Sequence, residues 1–156
     1  MAPTTGLMGK AKRNVHFFKH FQKAAKGKAT LENENLEDAV AYLRSFKMGN
    51  VTQGKIVWRI GAVVTLGAIV LFLIKLSNTS EMALRYNQHA QEEMGMWVLG
   101  ILGLAALTIL FAFTTFVGKK RYDTWRGLVV TELRNRASRD ADNKTLYESL
   151  LRELGA

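Results

Sequence analysis

Residues Met94–Val117 read MGMWVLGILGLAALTILFAFTTFV, 24 positions without one charged side chain. A helix needs about 20 apolar residues to cross the hydrocarbon core of a bilayer. This run exceeds that length, and its reading decides the fold. A second uncharged run, Ile60–Ile74, covers 15 residues between Arg59 and Lys75. The long stems of Arg and Lys reach toward headgroups while their charges stay wet. The span built on this run therefore extends over 56–76. A polar connector containing NQHAQEE joins the two runs. This pattern predicts a membrane hairpin rather than two core helices of a soluble bundle.

Charge sets the expected topology. Residues 1–55 carry ten Lys and Arg against four acidic residues, and 118–156 carry nine against six. The connector, 77–93, holds one arginine, Arg85, against Glu81, Glu92 and Glu93. Basic residues favour the side from which a protein inserts. Both termini are thus expected on the cytoplasmic or matrix side. The net charge of +9 then needs no nucleic acid to explain it. Trp58 and Trp97 are expected as interfacial anchors at opposite faces, with Arg59 beside the first.

The expected fold is an all-α integral membrane protein. It is a two-pass transmembrane hairpin with amphipathic N- and C-terminal helices on the same side. Its parts are a basic arm (1–55), a first span (56–76), a connector (77–93), a second span (94–117) and a C-terminal arm (118–156). The first apolar run begins too late for a secretory signal peptide, so the first span is expected to serve as the insertion signal.

Neither span contains an ionisable residue of the kind that proton and ion paths require. What they offer is packing surface. Gly61, Thr65 and Ala68 recur at helical spacing on the first. Ala105, Thr108, Ala112 and Thr115 do so on the second. Such stripes let helices approach closely, either each other or a partner, and Gly95, Gly100 and Gly103 add small positions. Between the spans, 81–93 holds no Gly or Pro and permits a short projecting helix.

The N-terminal segment KAKRNVHFFKHFQKAAKGK (10–28) has seven basic residues and no acidic one. On a helical wheel Phe17, Phe18 and Phe21 gather in an arc of about 100°. Lys12, Lys19, Lys23 and Lys26 take the other side. This is the pattern of an interfacial helix facing anionic, cardiolipin-like phospholipid, and it partly resembles an organelle address. Lys119, Lys120 and Arg121 follow the second span in the same role. His16 and His20 share a helix face, but no carboxylate lies within the segment and its basic residues repel a cation, so no metal site is expected. Further on, Leu36, Ala39, Val40, Leu43 and Phe46 form an amphipathic helix, capped by Thr30, Asn33 or Asn35 and stopped at Gly49-Asn50. Tyr122, Trp125, Val129 and Leu133 form a stripe on a helix continuing from the second span. After a break at SRDADN, Leu146, Leu150, Leu151 and Leu154 form a stripe that packs on the same chain or on a partner.

Cysteine is absent, no Gly-rich phosphate loop occurs, and no nucleophile sits beside a base. No enzyme, cofactor or nucleic-acid binder is expected. The reading is a non-catalytic accessory subunit of a larger inner-membrane complex, with a mitochondrial respiratory or ATP synthase assembly preferred. Its partners would be other membrane-protein subunits. The alternatives are a component of a bacterial transport or secretion machine, and a membrane-shaping or tethering protein.

Overall fold

The computed structural model describes residues 7–79 and 87–156. Every regular element among them is helical: α1 (Leu7–Ala25), α2 (Leu36–Phe46), a π-helical turn (Lys47–Thr52), α3 (Gln53–Asn78), α4 (Gln88–Arg139) and α5 (Lys144–Glu153). The chain divides into two compact units. One comprises 1–49 with 118–156, and the other 50–117.

In the first unit, local chemistry sets the helix ends. Gly27, at φ 68°, closes α1, and the Lys28 amide bonds back to the Lys23 carbonyl. Glycine reaches that left-handed conformation at little cost. Asn35 caps α2, its Oδ1 accepting from the Glu37 and Asp38 amides at 3.0 and 3.4 Å. Glu37 and Asp38 also place negative charge at the positive end of the helix. α4 ends at Arg139, and the Asp140 carboxylate gathers the Asn143 amide side chain at 2.8 Å and the Asn143 backbone N–H at 3.3 Å. These bonds, the side-chain one foremost, hold the Asp140 carboxyl below its ordinary range. Gly155, at φ 69°, closes the chain's last helix, and the Ala156 amide reaches the Leu151 carbonyl.

The core of this unit is aromatic. Phe21 stacks on Trp125 with centroids 5.5 Å apart, Tyr42 on Phe21 at 5.9 Å, and Phe46 lies 5.0 Å from Trp125. Tyr122, Trp125, Val129 and Leu133, one stripe of α4, are all buried. Phe17, Phe21, Ala39, Val40 and Leu43 are buried in the same unit. Burial removes water from the Tyr42 hydroxyl and raises its pKa.

Arg136 ties down the segment between α1 and α2. Its guanidinium donates to the carbonyls of Leu31, Glu32 and Glu34 at 2.8, 2.6 and 3.1 Å, and to the Glu132 carboxylate at 3.1 Å. A rigid five-donor fork suits this arrangement, and a lysine does not reproduce it. Arg136→Met is expected to lower this unit's stability by about 2–3 kcal/mol. Arg136→Lys recovers only part of that loss. A denaturant titration in detergent measures both; an unchanged midpoint for Arg136→Met would show that the clamp contributes nothing.

One expectation about a helix end is corrected. Gly49-Asn50 does not stop a helix. The chain widens into the π-helical turn and continues into α3. No proline intervenes, and Gly49 does not take a positive φ. Of the expected helix at 81–93, the part from Gln88 is helical as the start of α4, capped by Asn87, whose Oδ1 accepts from the His89 amide at 3.0 Å. Residues 81–86 of that expectation, with Glu81 and Arg85, lie outside the described residues.

In the second unit, α3 and the first part of α4 are each long and apolar enough to cross a membrane. Their apolar side chains are largely uncovered. Val63 is 70% exposed, Leu99 69% and Ile109 68%. A soluble bundle buries such side chains.

Candidate helix-packing and surface sites

The less exposed positions of α3 include Gly54, Trp58, Gly61, Thr65, Ala68, Phe72 and Lys75, with Ala62 beside Gly61. Ala62 apart, they alternate in steps of four and three, the spacing of a two-helix seam. On α4 the matching set includes Met94, Trp97, Ile101, Ala105, Thr108, Ala112 and Thr115. The contacts run in opposite order along the two helices. Gly54 faces Thr115, Gly61 faces Thr108, and Lys75 pairs with Glu93. Lys75 also lies 5.7 Å over the Trp97 ring, and Arg59 lies 6.0 Å from the Trp58 ring.

Threonine hydroxyls stitch the seam without leaving an unpaired polar group. Thr65 donates to the Gly61 carbonyl and Thr108 to the Leu104 carbonyl, both at 2.8 Å. Thr115 donates to the Phe111 carbonyl at 2.7 Å. Thr65 and Thr108 then approach each other, Oγ1 to Oγ1, at 3.4 Å. Every hydroxyl bonds within its own helix and presents a small, smooth face to the other. The two small-residue stripes thus face one another through Gly61, Thr65, Thr108 and Thr115. Gly67, Gly95, Gly100 and Gly103 have no neighbouring atom where a Cβ would stand. They lie off the seam.

The basic side chains proposed to meet lipid, Lys12, Lys19, Lys23, Lys26, Lys119, Lys120 and Arg121, are all exposed. The phenylalanines are placed differently. Phe17 and Phe21 are 5% and 0% exposed, and Phe18 packs edge-on to Trp125 at 5.7 Å. The lipid-facing role is therefore corrected for Phe17 and Phe21. The apolar face of α1 is covered by α2 and α4 of the same chain. Among the C-terminal leucines, Leu150 and Leu154 are buried within the chain, Leu151 is half-buried and Leu146 is exposed. Arg126 latches this end, donating to the Leu154 and Gly155 carbonyls, both at 2.7 Å.

A constellation invisible within the N-terminal segment also emerges. Glu34 comes to His16 and His20. Its Oε1 lies 3.1 Å from His16 Nε2 and 3.4 Å from His20 Nδ1. The only sequence signal for it was the i, i+4 histidine pair, because Glu34 belongs to the segment after α1.

Comparison with protein-family models, with characterised proteins and with solved structures gives no match.

Proposed function

We propose that the chain is a two-pass integral membrane protein whose α3 and α4 form a transmembrane hairpin, with the unit containing both termini on the cytoplasmic or matrix side. It acts as a non-catalytic accessory subunit of a larger inner-membrane complex, by preference a mitochondrial energy-transducing assembly. The observation that carries this reading is the uncovered apolar surface of 50–117. Ile60, Val63, Leu66, Leu99, Ile109 and Phe116 are all more than half exposed. Lipid or protein must cover them. The absence of a charged side chain from Ile60–Ile74 and Met94–Val117 supports a packing role over transport. The preference for a respiratory or ATP synthase complex rests on class analogy, since such assemblies hold small basic subunits without active sites.

Partner subunits would dock on the small residues that the hairpin leaves free, Gly67, Gly100 and Gly103. Anionic phospholipid would meet the exposed Lys12, Lys19, Lys23, Lys26, Lys119, Lys120 and Arg121 by charge rather than by phenylalanine insertion. The burial of Phe17 and Phe21 weighs against the membrane-shaping alternative, which needs a free apolar wedge.

Gentle detergent extraction followed by native electrophoresis tests the proposal. The chain is expected to migrate within a much larger complex. Gly103→Leu should release it while leaving the hairpin intact, since a Cβ there has no atom of the described residues beyond its own helix within 4 Å. Migration of the wild type as a small homo-oligomer would remove the subunit reading.

A further inference from the structure

The geometry points to a divalent transition-metal site formed by His16, His20 and Glu34, of the kind that takes Zn²⁺. Three observations carry it.

The first is spacing. Ligands of a tetrahedral zinc ion at bond lengths near 2.0–2.1 Å stand about 3.3 Å apart. Glu34 Oε1 is 3.1 Å from His16 Nε2 and 3.4 Å from His20 Nδ1. The three ligand atoms all lie within 4.8 Å of one another.

The second is the outer contact of His20. Its Nε2 lies 3.0 Å from the Thr30 carbonyl oxygen. A carbonyl only accepts, so Nε2 carries the hydrogen. Nδ1 is thereby left as the nitrogen that faces the Glu34 carboxylate, at 3.4 Å, where a metal ion can sit between them. A metal-bound histidine characteristically donates its other N–H to a backbone carbonyl, which fixes the ring and its tautomer.

The third is preorganisation. Arg136 holds the carbonyls of Leu31, Glu32 and Glu34, and so sets the segment that presents the carboxylate. Of the neighbouring cations, Arg13 is turned to Asp38 at 3.3 Å and Arg139 to Glu32 at 3.6 Å. Three protein ligands leave one position for water. His16 is the open side, with its side chain 58% exposed against 20% for His20 and 19% for Glu34. A bound ion would clip α1 to the segment leading into α2.

The test uses tag-free, chelator-washed, full-length protein in detergent, titrated with Co²⁺ alone. The expected result is a tetrahedral visible absorption band saturating at one ion per chain and displaced by Zn²⁺. Glu34→Gln and His20→Ala should each weaken Co²⁺ binding by more than ~10-fold. His89→Ala, which alters the one remaining histidine, should leave it unchanged. Circular dichroism shows whether each variant is folded, and His16→Asn, at the most exposed ligand, provides a variant with little to disturb. Absence of the band in wild type at saturating Co²⁺ would overturn the site. So would full retention of binding by folded Glu34→Gln and His16→Asn, or its loss in His89→Ala.

Discussion

Trp125→Ala is expected to unfold the unit built from 1–49 and 118–156 while the helices of 50–117 remain. Trp125 is 2% exposed and contacts the rings of Phe18, Phe21, Tyr42 and Phe46. Truncating a buried tryptophan typically costs about 3–5 kcal/mol, in lost transfer energy and in the cavity left behind. A domain of this size has a total stability of only about 5–15 kcal/mol. The change therefore consumes a large share of it. Removing Trp125 also removes a fluorophore, so fluorescence is a poor readout. Limited proteolysis in detergent is better: Lys19, Lys23 and Lys26 become rapidly cleavable, while Ile60–Ile74 stays protected. Phe21→Ala, on the other side of the same stack and itself fully buried, should give the same pattern with all tryptophans intact. If both variants keep the wild-type denaturation midpoint, the aromatic core is not what holds the N- and C-terminal arms together.

The same residues show what the sequence made legible. The length and apolarity of Met94–Val117 allow a membrane-spanning helix by composition alone, and the structure makes it part of one continuous helix, Gln88–Arg139. The stripe Tyr122, Trp125, Val129 and Leu133 was visible as a 3.6-residue period, and so was that of Leu36, Ala39, Val40 and Leu43. A helical wheel says that a face is apolar, but not what covers it. Phe17 and Phe21 had an apolar face that fitted a headgroup layer and the Tyr42–Trp125 core equally well. Only the fold chooses between them. Glu34 was hidden for a similar reason. Its meeting with His16 spans 18 positions and depends on a Gly27 turn and an Arg136 clamp far along the chain. The expected stop at Gly49-Asn50 failed because glycine permits a helix end without compelling one.

Gly61→Leu is expected to separate α3 from α4. A Cβ on Gly61 would stand 2.8 Å from Thr108 Oγ1, closer than side-chain carbons pack. The threonine has little room to yield, because its hydroxyl is already bonded to the Leu104 carbonyl at 2.8 Å. In the membrane hairpin proposed above, no hydrophobic force would push the two helices together, and close packing would be the main attraction between them. Overpacking of about 1–3 kcal/mol therefore acts on a small total. Since the chain has no cysteine, Thr65→Cys with Thr108→Cys gives an oxidative cross-link free of background, and the sulfur at 108, larger than the hydroxyl it replaces, leaves a side chain at 61 no more room. The native hydroxyls there are 3.4 Å apart. Adding Gly61→Leu should slow that cross-link by roughly tenfold or more, the kinetic counterpart of a loss near 1.4 kcal/mol. Gly67→Leu lies on the same helix, but a Cβ there meets nothing within 4 Å, so it should leave the rate unchanged. Equal slowing by both variants would mean that leucine disturbs the helix itself. Slowing by Gly61→Leu alone would assign the effect to the seam, where one missing side chain lets the two threonine stripes meet.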